Sequence, residues 1–464
     1  MFKKRNYTFF YILSGAFLLF ILSCNPQNAD SKESFLKDLK YRTFNFFWDN
    51  KDELTGLIPD RFPTREFTSI AATGFGLTSY IIGVENNYIS RSEGADQVEK
   101  TLKWLWNSKQ GPELNGTTGY MGFYYHFLTY NDGIRFNNVE LSTIDTGWLL
   151  AGVLACQSYF TGENPMELNI RTLADSLFLR VNWKWAMEGK ENMSMGWHPE
   201  SGFIKSRWEG YNEAMMIIIM SLGSPTYPVH DSAWNSWCKT YTWKEYMGRE
   251  QLNFGPLFGH QYSHMFIDFR GIYDPYMAKT GIDYFENSRR ATLSNRQYCI
   301  ANPGNFTSYG ENIWGLTACD GPANVLGADT LRFRTYWARG ASALEITDDG
   351  TISPTAAGGS IPFAPEECIN ALFTMKNTFG KRLYQEYGFK DSFNMTYHRP
   401  GSLKKGWFDP DYLGIDQGPI IIQLENYQTE LIWKIMKKNN YIISGLKKAG
   451  FTGGWLDELQ VSPG

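Results

Sequence analysis

From residue 34 to residue 464 the chain offers no low-complexity linker, charge block or fixed-period repeat at which one domain could end and another begin. Along that length apolar residues recur at helical spacing in ten or more segments, and nothing alternates strand with helix as a parallel sheet would require. A single core stops growing at about 250 to 300 residues. A toroid of helices escapes that limit, because each further helix extends the core around a ring. The segments are Phe35 to Trp48, Ile70 to Val84, Ala95 to Trp106, Thr143 to Phe160, Met166 to Val181, Asn212 to Leu222, Ser232 to Tyr246, Tyr284 to Ile300, Pro365 to Tyr387, Pro419 to Lys438 and Tyr441 to Ala449. They predict an all-α architecture with Thr143 to Phe160 and Asn212 to Leu222 among the inner helices. Asn164-Pro165 marks a helix start, with asparagine capping and proline in the first turn. Strands are expected only in short pieces, chiefly in Met121 to Phe136. There Asn131-Asp132-Gly133 signals a hairpin, read as an insertion at the rim.

The ends are of a different kind. Lys3, Lys4 and Arg5 precede an apolar run from Phe9 to Leu22, followed by Ser23 and Cys24. Residues 1–23 therefore read as a secretory signal peptide. Ile21-Leu22-Ser23-Cys24 resembles a lipoprotein cleavage box, with Cys24 taking acyl chains and the polar residues to Glu33 forming a tether ahead of one domain over 34–464. The expected location is an exported lipoprotein, periplasmic or at the cell surface of the outer membrane, touching membrane through that lipid alone. Cys156, Cys238, Cys299, Cys319 and Cys368 remain, an odd number without CxxC spacing, and are expected as free buried thiols. Without Lys3, Lys4 and Arg5 the chain has 41 basic against 48 acidic side chains, a formal charge of −7 that argues against a nucleic-acid partner. Aromatic residues make up 16% of the chain, more than a core alone explains. The surplus suits sugars, whose axial C–H faces lie flat on aromatic rings.

Three segments place carboxyl groups where chemistry could use them. In Arg207-Trp208-Glu209-Gly210-Tyr211-Asn212-Glu213 a loop turns into a very apolar helix, which puts Glu213 in that helix's first turn. The ordinary reading is a dipole-favoured glutamate. Partial desolvation at the mouth of such a helix would also raise its pKa, as a general acid needs. Asp391, after the helix ending near Tyr387, reads either as a solvated turn aspartate or as a second catalytic carboxylate. Asp145 lies one turn inside the helix capped by Ser142 or Thr143, as a capping acid or an acceptor for sugar hydroxyls. His260 and His264 share the i,i+4 spacing of metal ligands, but no HExxH surrounds them, and no metal is expected. Neither a GxSxG, a Walker loop nor a dinucleotide fingerprint occurs in a fitting context.

The strings Trp208-Glu209-Gly210-Tyr211-Asn212-Glu213-Ala214, Gly223-Ser224-Pro225-Thr226, Gly315-Leu316-Thr317-Ala318-Cys319-Asp320-Gly321-Pro322 and Tyr412-Leu413-Gly414-Ile415-Asp416-Gln417-Gly418-Pro419 resemble the glucoamylase-like bacterial proteins that include the β-1,2-glucanases of glycoside hydrolase family 144. The resemblance implies an (α/α)6 barrel and inverting hydrolysis of β-1,2-glucan to sophorose or longer sophorooligosaccharides, without a cofactor. It further implies Glu213 as general acid and Asp391 as general base. Glu140, Asp145, Arg207, Trp208, Glu209, Tyr211, Glu311 and Asp320 are then candidates for sugar contacts. Endo and exo members share these strings, so the resemblance does not choose between the two. The chemistry agrees with the resemblance, since inversion needs one protonated carboxyl at the leaving oxygen and one ionised carboxylate serving a water on the opposite face. Two other readings stand beside it. One is an (α/α)6 hydrolase or lyase for another polysaccharide, of which a lyase for acidic glycans would show a basic cleft. The other is a glycan-binding lipoprotein without catalysis.

Overall fold

The computed structural model describes residues 26–326, 331–398, 401 and 405–458. The expected signal peptide and Cys24 lie outside them. The architecture is helical, and among the described residues no sheet closes on itself; the longest strands have four residues.

Two kinds of helix make up the body. Ile70–Glu85, Thr143–Tyr159, Met215–Gly223, Phe258–Phe266, Pro354–Gly358 and Gly414–Thr429 are buried on nearly every face. Others, such as Arg91–Asn107 with Val98, Thr101, Leu102 and Leu105 turned inward, bury one stripe only. Arg91–Asn107 packs on Pro165–Leu179, Tyr284–Ala301 on Phe258–Phe266, Pro365–Phe379 on Pro354–Gly358, and Asn440–Lys448 on Met215–Gly223. Among the fully buried helices, Ile70–Glu85 touches both Thr143–Tyr159 and Gly414–Thr429, and Thr143–Tyr159 touches Met215–Gly223. Met216 N–H then donates to Ser263 Oγ at 3.1 Å, and Gln261 Nε2 donates to the Ala356 carbonyl at 2.8 Å. Pro354–Gly358 completes the succession by packing on Gly414–Thr429.

Glycine permits the closest of these approaches. A Cβ built on Gly152 would lie 2.1 Å from the Gly74 carbonyl oxygen, and one on Gly74 2.2 Å from that of Trp148. Gly223 and Gly445 bring Met215–Gly223 and Asn440–Lys448 together in the same way. Because the obstruction is backbone, Gly152→Ala must push two core helices apart. The expected cost is about 1–3 kcal/mol, seen as a melting midpoint lowered by a few °C. An unchanged midpoint in a calorimetric scan would show that the crossing is looser than the geometry indicates.

The structure corrects several boundaries. The first helix is Pro26–Asn50, so the polar run expected as a tether is already helical from Pro26. Ser232 to Tyr246 splits into the helix Ala233–Cys238 and the strand Trp243–Tyr246, which pairs with Arg249–Leu252. Met247 and Gly248 both have positive φ between those strands, the turn that a tight hairpin demands. Pro365 to Tyr387 stops as a helix at Phe379, because Gly380 turns to φ 50°. The third buried helix begins at Met215, leaving Glu213 just ahead of it. Asn131-Asp132-Gly133 does turn the chain, with Leu128 bridging to Arg135. The flanking strands go to separate sheets: Phe127–Thr129 pairs with Phe67–Ser69, and Phe123–Tyr125 joins a five-stranded sheet through Leu141–Ser142 and Gly196–His198. All five cysteines in the described residues are free and buried, as expected.

Candidate active site

A cavity of about 420 Å³ opens where these strands meet the starts of several buried helices. Its polar walls are Asp60, Arg61, Ser69, His126, Asp145, Glu213 and Asp416; its apolar walls include Phe67, Phe127, Trp148, Phe258, Tyr262 and Tyr336. The aromatic walls form two groups. Phe67 and Phe127 lie 4.6 Å apart by ring centroid, and Tyr262 lies 5.6 Å from both Trp148 and Phe258.

Glu213 is held by its backbone. Asn212 Oδ1 accepts from Ala214 N–H at 3.0 Å, Asn212 Nδ2 donates to the Glu209 carbonyl, and Ser263 Oγ donates to the Glu213 carbonyl at 3.2 Å. The carboxyl itself is offered to the cavity. Burial pushes its pKa up to about 7; its own backbone N–H works against this, and the charge of Asp145 adds to it.

Asp145 stands in the first turn of Thr143–Tyr159, its N–H donating to Ser142 Oγ at 3.1 Å while that hydroxyl also donates to its carboxylate. His126 sits between two acids, Nδ1 2.8 Å from Glu140 Oε1 and Nε2 3.5 Å from Asp145 Oδ1. Burial alone would lower its pKa, but Asp145, Glu140 and Asp60 outweigh that and raise it to about 9, so the ring is a cation at neutral pH.

A second group of acids lies opposite in the chain. Arg61 joins Asp60 (2.9 Å) to Asp320 (2.6 Å). Asp320 N–H donates to Asp391 Oδ2 at 2.7 Å. Asp391 is only 2% exposed, which excludes the solvated turn, and it is not itself part of the cavity wall. It meets Asp416, which is. Burial, then the charge of Asp416 and a hydrogen bond to it, hold the Asp391 pKa well above the carboxylate range. Burial lifts Asp416 to about 7, with the hydrogen bond from Asp391 pulling the other way and Asp320 and Asp60 adding to the rise. The two carboxyls therefore share a proton and titrate as one unit, of which Asp416 alone reaches the cavity. Asp409, raised to about 8 by burial and then by Asp391, stands behind them. Asp320, Asp391 and Asp409 bring one oxygen each within 4.8 Å of one another, the set here whose spacing could hold a cation.

Several expected sugar contacts are elsewhere. Arg207 pairs with Glu188 and donates to the Met187 and Asn192 carbonyls. Trp208 is core, its Nε1 donating to Thr143 Oγ1 at 2.9 Å and tying the Glu213 loop to the helix of Asp145. Tyr211 is core as well, stacked on Tyr284. Glu209 meets Asn192 away from the cavity, and Glu311 is a largely exposed partner of Arg296. Arg207, Trp208, Glu209 and Tyr211 diverge from Glu213 because the loop turns between them. Glu140 acts on the cavity through His126, and Asp320 through Arg61 and Asp391. Sequence reading missed His126, Asp60, Arg61, Tyr336 and Asp416. Asp416 repeats the signal that marked Glu213, a carboxyl at the start of an apolar helix. His260 and His264 hydrogen-bond the Phe254 carbonyl and Ser288 Oγ, and burial keeps both neutral, as core histidines rather than metal ligands.

A family model described as "Putative glucoamylase" matches residues 205–440. A crystal structure so described, from Bacteroides uniformis, superposes with a TM-score of 0.79 at 32% identity, covering 91% of this chain and 98% of that one. The endo-β-1,2-glucanase of Chitinophaga pinensis, in a complex with sophorotriose and glucose, superposes with a TM-score of 0.79 at 27% identity over 91% of this chain and 99% of that chain. The exo-β-1,2-glucooligosaccharide sophorohydrolase (non-reducing end) of Parabacteroides distasonis is 28% identical over 450 residues, 90% of this chain. The match spans 58% of that relative's length.

Proposed function

Because this chain belongs to the glucoamylase-like family of glycoside hydrolases, we propose that it hydrolyses β-1,2-glucan, releasing sophorose or longer sophorooligosaccharides with inversion. The observation that carries the reading is the cavity itself, where a protonatable Glu213 and an ionised carboxyl unit share an aromatic-walled space. Glu213 protonates the leaving oxygen. The Asp391–Asp416 pair takes a proton from the attacking water, Asp416 presenting the accepting oxygen and Asp391 setting its basicity from behind. Inverting enzymes leave room for that water between carboxyls roughly 6.5 to 9.5 Å apart. His126 and Asp145 are placed to bind sugar hydroxyls beside the acid.

Charge argues against the lyase alternative. Four acids line the cavity, and of its two cations Arg61 is held by Asp60 and Asp320 and His126 by Glu140 and Asp145. A polyanionic glycan would find no uncommitted cation among the described lining residues. The fold reading is an (α/α)6 barrel, supported by the succession of six fully buried helices, each backed by a one-striped neighbour. We also propose export and lipid attachment at Cys24; none of the described helices is long and apolar enough to cross a membrane.

Incubation with pure linear β-1,2-glucan tests the activity. Reducing sugar should appear, with sophorose or sophorooligosaccharides on a chromatogram and the α-anomer formed first by NMR. Binding of the glucan without any release of sugar would leave a glycan-binding protein instead.

A further inference from the structure

We infer that Tyr336 is the rim residue that fixes a sugar ring across the cavity mouth, a stacking platform that sets substrate affinity. This rests on the glucan-hydrolase reading above. Tyr336 is 61% exposed, the most open large aromatic of the cavity wall, while Trp148 in the same wall is buried. A large apolar ring left in water beside a carboxylate-lined cavity costs free energy that a ligand recovers by covering it. Sugars suit that face, since one side of a β-linked glucose presents C–H groups while its edge offers hydroxyls to groups such as Asp416 in the same wall.

The loop that carries Tyr336 is built to stay still. Arg339 is fully buried and its guanidinium forms a two-point ion pair with Asp349 at 2.8 Å on both arms. The same guanidinium donates to the carbonyls of Cys319, Arg334, Thr335 and Trp337, so the turn around Tyr336 is wrapped on one cation. Arg334 N–H donates to Asp349 Oδ2 at 3.0 Å, Thr335 N–H to Asn324 Oδ1 at 3.2 Å, and the Arg334 side chain covers the Trp337 ring at 4.2 Å. A buried ion pair is a poor way to gain stability but a good way to specify one conformation of a loop. Here it presents an exposed ring in a preset position, which spares the entropy of ordering it on binding.

The test compares wild type, Tyr336→Phe and Tyr336→Ala on β-1,2-linked glucooligosaccharides, with KM, kcat and product lengths measured for each. Tyr336→Ala should raise KM about tenfold, equivalent to ~1.4 kcal/mol, with kcat within about twofold, since the acid and base are untouched. Tyr336→Phe keeps the ring and should restore KM to within about twofold of wild type. A KM unchanged in Tyr336→Ala, or equally raised in Tyr336→Phe, overturns the stacking role while the activity stands. A wild-type enzyme that releases no sugar from these oligosaccharides removes the activity and the stacking role together.

Discussion

Glu213→Gln should lose turnover on β-1,2-glucan by about 10² to 10⁴ while retaining substrate affinity within a few fold, the usual worth of a general acid. Glutamine matches the shape of the side chain but has no proton to give. Among the described residues no side chain hydrogen-bonds the Glu213 carboxyl, so the substitution breaks no contact of the folded protein; the bonds that hold the loop come from Asn212 and Ser263. A fall in kcat that leaves KM unchanged is the signature of an interaction made in the transition state alone. The pH profile gives an independent check. Glu213 is needed protonated, and burial sets its pKa at about 7. Wild-type kcat/KM should therefore decline as pH rises through about 7, because the acid form is lost above that value. Turnover near wild type in Glu213→Gln would assign the acid to Asp145, the carboxyl in the same wall whose charge reaches it.

The long buried helices were legible because their signal is strong: Ile70–Glu85 and Thr143–Tyr159 are apolar over four turns and begin at serines whose side chains cap them. Phe258–Phe266 and Pro354–Gly358 were not, one because histidine, glutamine and serine interrupt its apolar pattern, the other because five residues are too few to show a period. The same logic divides the site. Glu213 could be read from the sequence because one short segment contains both the acid and the apolar helix that desolvates it. Asp391 could be named from the family strings, yet its coupling to Asp416 depends on two segments meeting in space. His126 means little as one residue of a segment that reads as strand. It becomes a cation only because the sheet sets Glu140 beside it and the following helix supplies Asp145. Arg207, Trp208, Glu209 and Tyr211 mislead for the converse reason, since adjacency to Glu213 along a turning loop sends their side chains outward or into the core.

Asp391→Asn and Asp416→Asn should each reduce turnover by about 10² to 10⁴, with KM within a few fold, because the base is a pair rather than a residue. In the wild-type protein one proton serves two carboxyls, and the unit accepts a second from the attacking water. An asparagine at 391 still lets position 391 accept from Asp320 N–H and offers a permanent N–H to Asp416. That donor, which unlike a carboxyl cannot give up its proton, holds Asp416 ionised and makes it a weaker base. An asparagine at 416 removes the oxygen that faces the cavity and leaves Asp391 buried without access to the water. Either change disables the same step, so the double variant should lose little beyond the worse single one, and circular dichroism should report a native fold in all three. Wild-type turnover in Asp391→Asn with collapse in Asp416→Asn would assign the base to Asp416 alone. Wild-type turnover in both would move the search for the base to Asp60 and Asp320, the acids that Arg61 brings to the same side of the cavity.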